Sequence, residues 1–258
     1  MVEGENKLAI SLPWEWAAQK VLGPTLAEIG EDLRRVYAKG RDKLISAAFR
    51  KIPNPDDGKQ ANLRVTKDVL WNGAFTDDAV CAEYFGGILA ASRSVDGKDD
   101  DAIQFVDVIK SLSSRQLHLH YAIYHSLNRQ LVPIGKPVNV GKDSEIEKQS
   151  VWFLPDELRA LDLRIDPDLN ILYRLGLISQ YRMDLYPVDN LALAYVSVHA
   201  TTFGVLLYAA AHNRLADWRS FAEIDSGSFG EIGTPRSCAS GLQELLPFAR
   251  LGQDEPRL

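Results

Sequence analysis

Apolar residues that return every three or four positions dominate the first half of the chain, a period that suits a helix with one buried stripe and not a half-buried strand. Between Leu12 and Lys51 the stripe runs through Trp16, Leu22, Leu26, Ile29, Leu33, Val36, Leu44 and Ala48. Gly23-Pro24 and Gly30 split it, because Pro24 lacks the amide a mid-helix position needs but suits the first turn of a new helix. Two prolines and a glycine between Pro53 and Gly58 end it in a loop.

Further short helices follow. Val65 to Trp71 forms one, and a second starts at Thr76, with Asp77 and Asp78 at its positive end, and reaches Ser92. Its run from Tyr84 to Ser92 places small residues on one side, where a neighbouring helix can approach closely. A polar stretch from Val95 to Asp101 leads into a helix over Ala102 to Leu112, and Ser113 caps another from Ser114 to Arg129. Together these predict an N-terminal helical bundle over residues 1–130.

The pattern then changes. Residues 131–150 carry two prolines and two glycines and read as a linker or long loop. Residues 151–224 predict a helix over Pro155 to Leu163, then one opened by Asp166 and Pro167 and closed by Gly176. Two strand-like runs follow, Ile178 to Tyr186 and Leu191 to Ala200, joined by turn residues. An apolar helix from Thr201 to Phe221 completes the segment. The fold class expected is therefore mainly α, an N-terminal helical bundle followed by a winged-helix-like α/β-hairpin module. The glycine-rich residues 225–258 read as a peripheral tail.

Composition narrows the chemistry. With 29 basic against 35 acidic residues the net charge is −6, so no global attraction draws the chain to a phosphate backbone. Two distant cysteines, Cys81 and Cys238, lack metal-ligand spacing and read as free thiols. The acidic start lacks an export signal, and the longest apolar run is half a bilayer span, so a cytoplasmic location is expected.

No GxSxG, phosphate loop, HExxH or dinucleotide fingerprint is present, so no catalytic residue, cofactor or metal is assigned. His118, His120 and His125 read as surface or helix-end histidines, because two imidazoles on one face without a carboxylate or thiolate make a poor metal site. Asp99, Asp100 and Asp101 read as the cap of the following helix. Arg34, Arg35, Lys39, Arg41 and Lys43 make the first long helix locally basic and are the candidates for contact with nucleic acid or lipid headgroups, aided at a membrane by Trp14 and Trp16. On the helix of the winged-helix-like module, Asn170 and Arg174 are the candidate base readers, opposed by Asp166 and Asp168.

Four segments in order resemble the abortive-infection alpha family of bacterial phage-defence proteins. They are Val21–Gly30; Asp77-Asp78 with Phe85–Ser92; Phe105–Ser113; and Leu172–Ile178 with Thr202–Gly204. The chain departs from that pattern around Val132 to Val151 and after Asp225. The resemblance implies an antiphage protein that acts by binding a phage or host protein, and it brings no catalytic residues. The alternatives are a winged-helix nucleic-acid-binding regulator and a nuclease-like or membrane-associating toxic effector.

Overall fold

A computed structural model describes residues 38–74, 78–135, 137–188, 191–230 and 232–251. The coarse expectation of a mainly helical chain holds, since helices predominate and two small antiparallel sheets accompany them. The first half contains α1 (Ala38–Arg50), β1 (Gln60–Ala61), α2 (Leu63–Gly73), α3 (Ala79–Ala91), β2 (Arg93–Ser94), α4 (Ile103–Lys110) and α5 (Ser114–Ile134). The second contains α6 (Asp143–Ile146), β3 (Ser150–Phe153), α7 (Pro155–Ala160), α8 (Ile165–Arg174), β4 (Ile178–Val188), β5 (Leu191–Ala200), α9 (Thr202–Ala211) and α10 (Leu242–Leu251).

Helix α3 lies at the centre. Every residue from Val80 to Ala90 is buried, as expected of a helix apolar on all sides. Helices α1, α2, α4, α5 and α9 pack around it. Asp78 caps it by accepting from the Cys81 amide at 3.1 Å, whereas Thr76 and Asp77 lie outside the described residues. The small residues admit two neighbours on two sides rather than one. A Cβ on Gly86 would sit 2.7 Å from the Ala47 Cβ and 2.8 Å from the Ala48 amide nitrogen of α1. A Cβ on Gly87 would run into the Ala211 carbonyl at the end of α9.

Local signals set the helix ends. Ser113 and Gln116 form a reciprocal capping box at the start of α5, which continues past Arg129 to Ile134 and stops at left-handed Gly135. Pro133 lies in its last turn. At α2 the side chain of Asn62 accepts from the Arg64 and Val65 amides, while its own amide reaches the Gly97 carbonyl. Helix α4 has Ala102 at its cap position with no side-chain bond. The aspartates before it act otherwise: Asp99 accepts from the Asp101 amide and Asp100 pairs with exposed Arg64.

Residues 131–150 contribute Val140 and Ile146 to the core, and Thr202 donates to the Val140 carbonyl at 2.8 Å. Beyond them β3, β5 and β4 form an antiparallel sheet in that order. Val196, Val198 and Ala200 of β5 face the main core. Tyr195 on the opposite face stacks on Trp152 and joins Ala239 and Leu245 in a smaller apolar cluster.

Helix α9 ends at Ala211, not at Phe221, where Asn213 turns left-handed and donates to the Lys51 carbonyl at 2.8 Å. A single 3-10 turn, Trp218–Ser220, occupies part of the remainder. The glycine-rich stretch after Asp225 is packed rather than peripheral over its described residues. Phe229, Ser237, Ala239 and Leu245 are buried, and Ala239 exchanges backbone hydrogen bonds with Trp152. Its glycines supply turns, with Gly227 and Gly230 at positive φ, and the few apolar side chains between them reach the core.

The Gly87 approach is the tightest helix contact, so Gly87→Ala is expected to destabilise the chain by about 3 kcal/mol through overpacking against backbone. Urea unfolding of the two proteins measures the difference.

Candidate functional site

Two places bring functional side chains together, one inside the helical body and one on its surface. Inside, α5 contributes His120, Tyr121, Tyr124, His125 and Asn128, α9 contributes Tyr208 with His212 at its C-cap, α3 contributes Glu83 and Tyr84, and Phe221 and Phe229 close the group. The ring of His212 stacks 4.3 Å from Phe229 and lies 4.2 Å from Tyr208. Tyr121 stacks against the same set, 4.5 Å from Phe229 and 5.1 Å from His125.

The histidines next to α5's centre are core residues, which corrects the surface reading for two of the three. His120 is fully buried, with Nδ1 2.5 Å from the Tyr84 hydroxyl. His125 is buried beside the Tyr208 hydroxyl at 3.4 Å. Only His118 stays half-buried, where its Nε2 contacts the Gly233 carbonyl at 2.7 Å. Burial pushes His120 and His212 down to about 3 and lowers His125 as well, so all three imidazoles are neutral near pH 7. Burial likewise pushes Tyr124 up to about 12 and Tyr84 and Tyr208 well above the ordinary phenol value, which keeps their protons in place.

Glu83 is the one carboxylate inside the body of α3. It is buried and meets both basic residues at the end of α1, Arg50 and Lys51, in ion pairs. Lys51 also donates to the Glu83 carbonyl at 2.9 Å and lies 4.7 Å from the Phe229 ring centre. Its ammonium is pulled down to about 8 because burial outweighs the attraction of Glu83. The basic run of the first helix is therefore not one solvated face. Arg41 is buried and reaches Asp42 Oδ1 at 3.0 Å, Lys43 is exposed, and Arg50 and Lys51 turn to Glu83. Arg34, Arg35 and the side chain of Lys39 lie outside the described residues.

On the surface, α8 and β4 present large apolar side chains to solvent. Helix α8 buries Ile165, Leu169 and Leu172. Its buried Asp168 accepts from Arg115, Gln116 and the Arg164 amide at 3.2–3.3 Å. Asp168 thus anchors α8 to α5 and is not available to solvent. Asn170 is half-buried and donates to the Tyr181 hydroxyl at 3.3 Å, so it is not extended toward a ligand, while Arg174 is exposed. Tyr173 and Tyr181 meet edge to face at 6.3 Å. Past them Met183, Leu185 and Tyr186 stand 43%, 63% and 45% exposed along β4, and Leu175 ends α8 on the surface.

Both places leave faint signals in the sequence. Glu83 interrupts an otherwise apolar helix, and a carboxylate there requires partners. Tyr208 and His212 stand four apart, as do Tyr121 and His125, so each pair shares a helix face. Among the described residues no group of three or more His, Cys, Asp or Glu is placed to hold a metal ion, and no helix is long and apolar enough to cross a membrane. Cys81 and Cys238 are not joined in a disulfide.

Comparison of the chain with protein-family models, with curated proteins and with solved structures found no match.

Glu83→Gln is expected to cost about 3 kcal/mol, because it leaves the Lys51 ammonium buried without its counter-charge. Denaturant unfolding at neutral pH tests this, and a change below a few tenths would count against the pairing. The histidines set a pH dependence of definite sign. Unfolded imidazoles protonate below about 6.5, whereas folded His120 and His212 resist until about 3. Stability is full above the unfolded value and is lost as pH falls. Between about pH 7 and about pH 5 the loss is about 2 kcal/mol per histidine, and His212→Asn should remove one share of it.

Proposed function

We propose that this chain is an antiphage protein that acts by binding another protein, through the surface formed by α8 and β4. One observation carries the reading. Tyr173, Leu175, Met183 and Leu185 are exposed on adjoining elements, whereas Tyr84 and His120, and Glu83 and Lys51, of the helical body are engaged with one another inside it. Exposed apolar side chains grouped on one surface mark sites of macromolecular contact.

The module that carries them reads as winged-helix-like. What supports this is the succession β3, α7, α8, β4, β5 with strand order β3-β5-β4, in which α8 precedes a long hairpin. Protein is favoured over nucleic acid as the partner because the first turn of α8 exposes Asp166, and Asn170 is held by Tyr181. Exposed Arg174 is left as the sole one of the two base-reading candidates directed to solvent. The defence role rests on the resemblance to the abortive-infection alpha family, and it places the protein in the cytoplasm of an infected cell.

Plating of a broad phage panel on hosts with and without the gene tests the proposal. The wild-type chain is expected to protect, and Met183→Asp with Leu185→Asp, both on exposed positions, to abolish protection while leaving the fold intact by circular dichroism. Equal plating with and without the wild-type gene overturns the defence role. Tight duplex binding that weakens steeply with salt overturns the choice of a protein partner.

A further inference from the structure

Strand β4 is paired on one side only, to β5, and among the described residues its other edge carries no strand. An open edge of this length is a template for another strand unless charge blunts it. Here the charges are arranged so that the edge complements itself. We infer that β4 pairs antiparallel with β4 of a second copy of this chain, about a two-fold axis at Met183, which joins two three-stranded sheets into one.

The register follows from the side chains. In an antiparallel pair centred on Met183, residues whose numbers sum to the same value stand opposite each other. Arg182 then faces Asp184 of the second copy, and Asp184 faces its Arg182. Centring on Arg182 would oppose arginine to arginine, and centring on Asp184 aspartate to aspartate, which like-charge repulsion disfavours. A slip by one residue would set the apolar face of one strand beside the polar face of the other.

The same register completes the apolar face. Tyr181 and Met183 lie on the face of Val196 and Val198, the core side of the sheet, and Leu185 continues that line beyond the cover of α8. In the pair, Tyr181 stands beside Leu185 of the second copy and Met183 beside Met183. The edge is also chemically ready. The Leu185 amide is directed away from β5 to its neighbour's carboxylate, Asp184 Oδ1, at 2.8 Å. Arg182 Nε reaches the same carboxylate at 3.0 Å. Pairing exchanges these contacts within one strand for contacts across the axis: the amide takes a Tyr181 carbonyl, and the carboxylate takes the opposite guanidinium. Neither α8 nor its exposed Tyr173 is consumed, while Met183 and Leu185 are drawn into the seam, so the pairing shares part of the proposed surface and sets two copies of the remainder side by side.

Charge reversal tests the register directly, by sedimentation velocity of the full chain over a concentration series. The wild type is expected to be dimeric, and R182D alone and D184R alone to weaken the dimer by roughly tenfold or more, since each opposes like charges twice across the axis. An equimolar mixture of R182D and D184R should form a mixed dimer, because each arginine of one again meets an aspartate of the other. The R182D/D184R double variant should recover self-association. A wild type that stays monomeric throughout overturns the inference, as does dimerisation of either single variant at wild-type strength. Phage protection by a monomeric chain would overturn the dimer and spare the proposed function. A dimer that gives no protection would do the reverse.

Discussion

Close approach of α1 and α9 to α3 is the constraint on which the rest of the structure depends. A helix with no solvated side must be met by other elements on every side, and the backbone contacts at Gly86 and Gly87 fix how near two of them come. Once α1 and α9 are seated, their ends meet: Asn213 after α9 bonds to the Lys51 carbonyl after α1. The two basic side chains at the end of α1 then reach Glu83, one helical turn before the glycines. Steric contact thus positions the charges, and the buried ion pairs in turn make any other placement of α1 costly.

A second link joins the helical body to the hairpin. The Tyr124 hydroxyl donates to the Leu177 carbonyl at 2.5 Å and accepts from the Thr201 amide at 3.0 Å, so one phenol on α5 holds both strands of the hairpin where they leave the core. Gly204 has no Cβ because Tyr124 occupies its place. The aromatic set around Tyr124 is therefore continuous with the hairpin's root, through the hydroxyl that joins them.

Much of the fold was legible because its signals are local. The capping serine at 113, the glycine that closes α8 at 176 and the turn between β4 and β5 act over three or four residues, and the boundaries they predict match closely. What was not legible depends on partners distant in sequence. The end of α9 is set by Asn213 meeting Lys51, 162 residues away. Phe229 is buried because it meets α5 and α9 from a stretch whose glycines suggested solvent. Likewise, a histidine on a helix carries no mark of burial until the tyrosines facing it are placed, which is why His120 and His125 read as surface residues. The apolar exposure of β4 lay hidden for the opposite reason: its alternation promised a covered face, and the cover ends at α8.

That shortfall of cover gives the hairpin the character of a lever. Its root is clamped at Leu177 and Thr201, and the strand pairing shifts register between Ile178 and Gln180, immediately beyond the clamp. Such an irregularity bends a strand and loosens its pairing locally. Beyond that irregularity β5 stays backed by β3 as far as Val196, so force applied near Leu185 falls on the unbacked outer length of the hairpin, while the packed root behind it stays anchored.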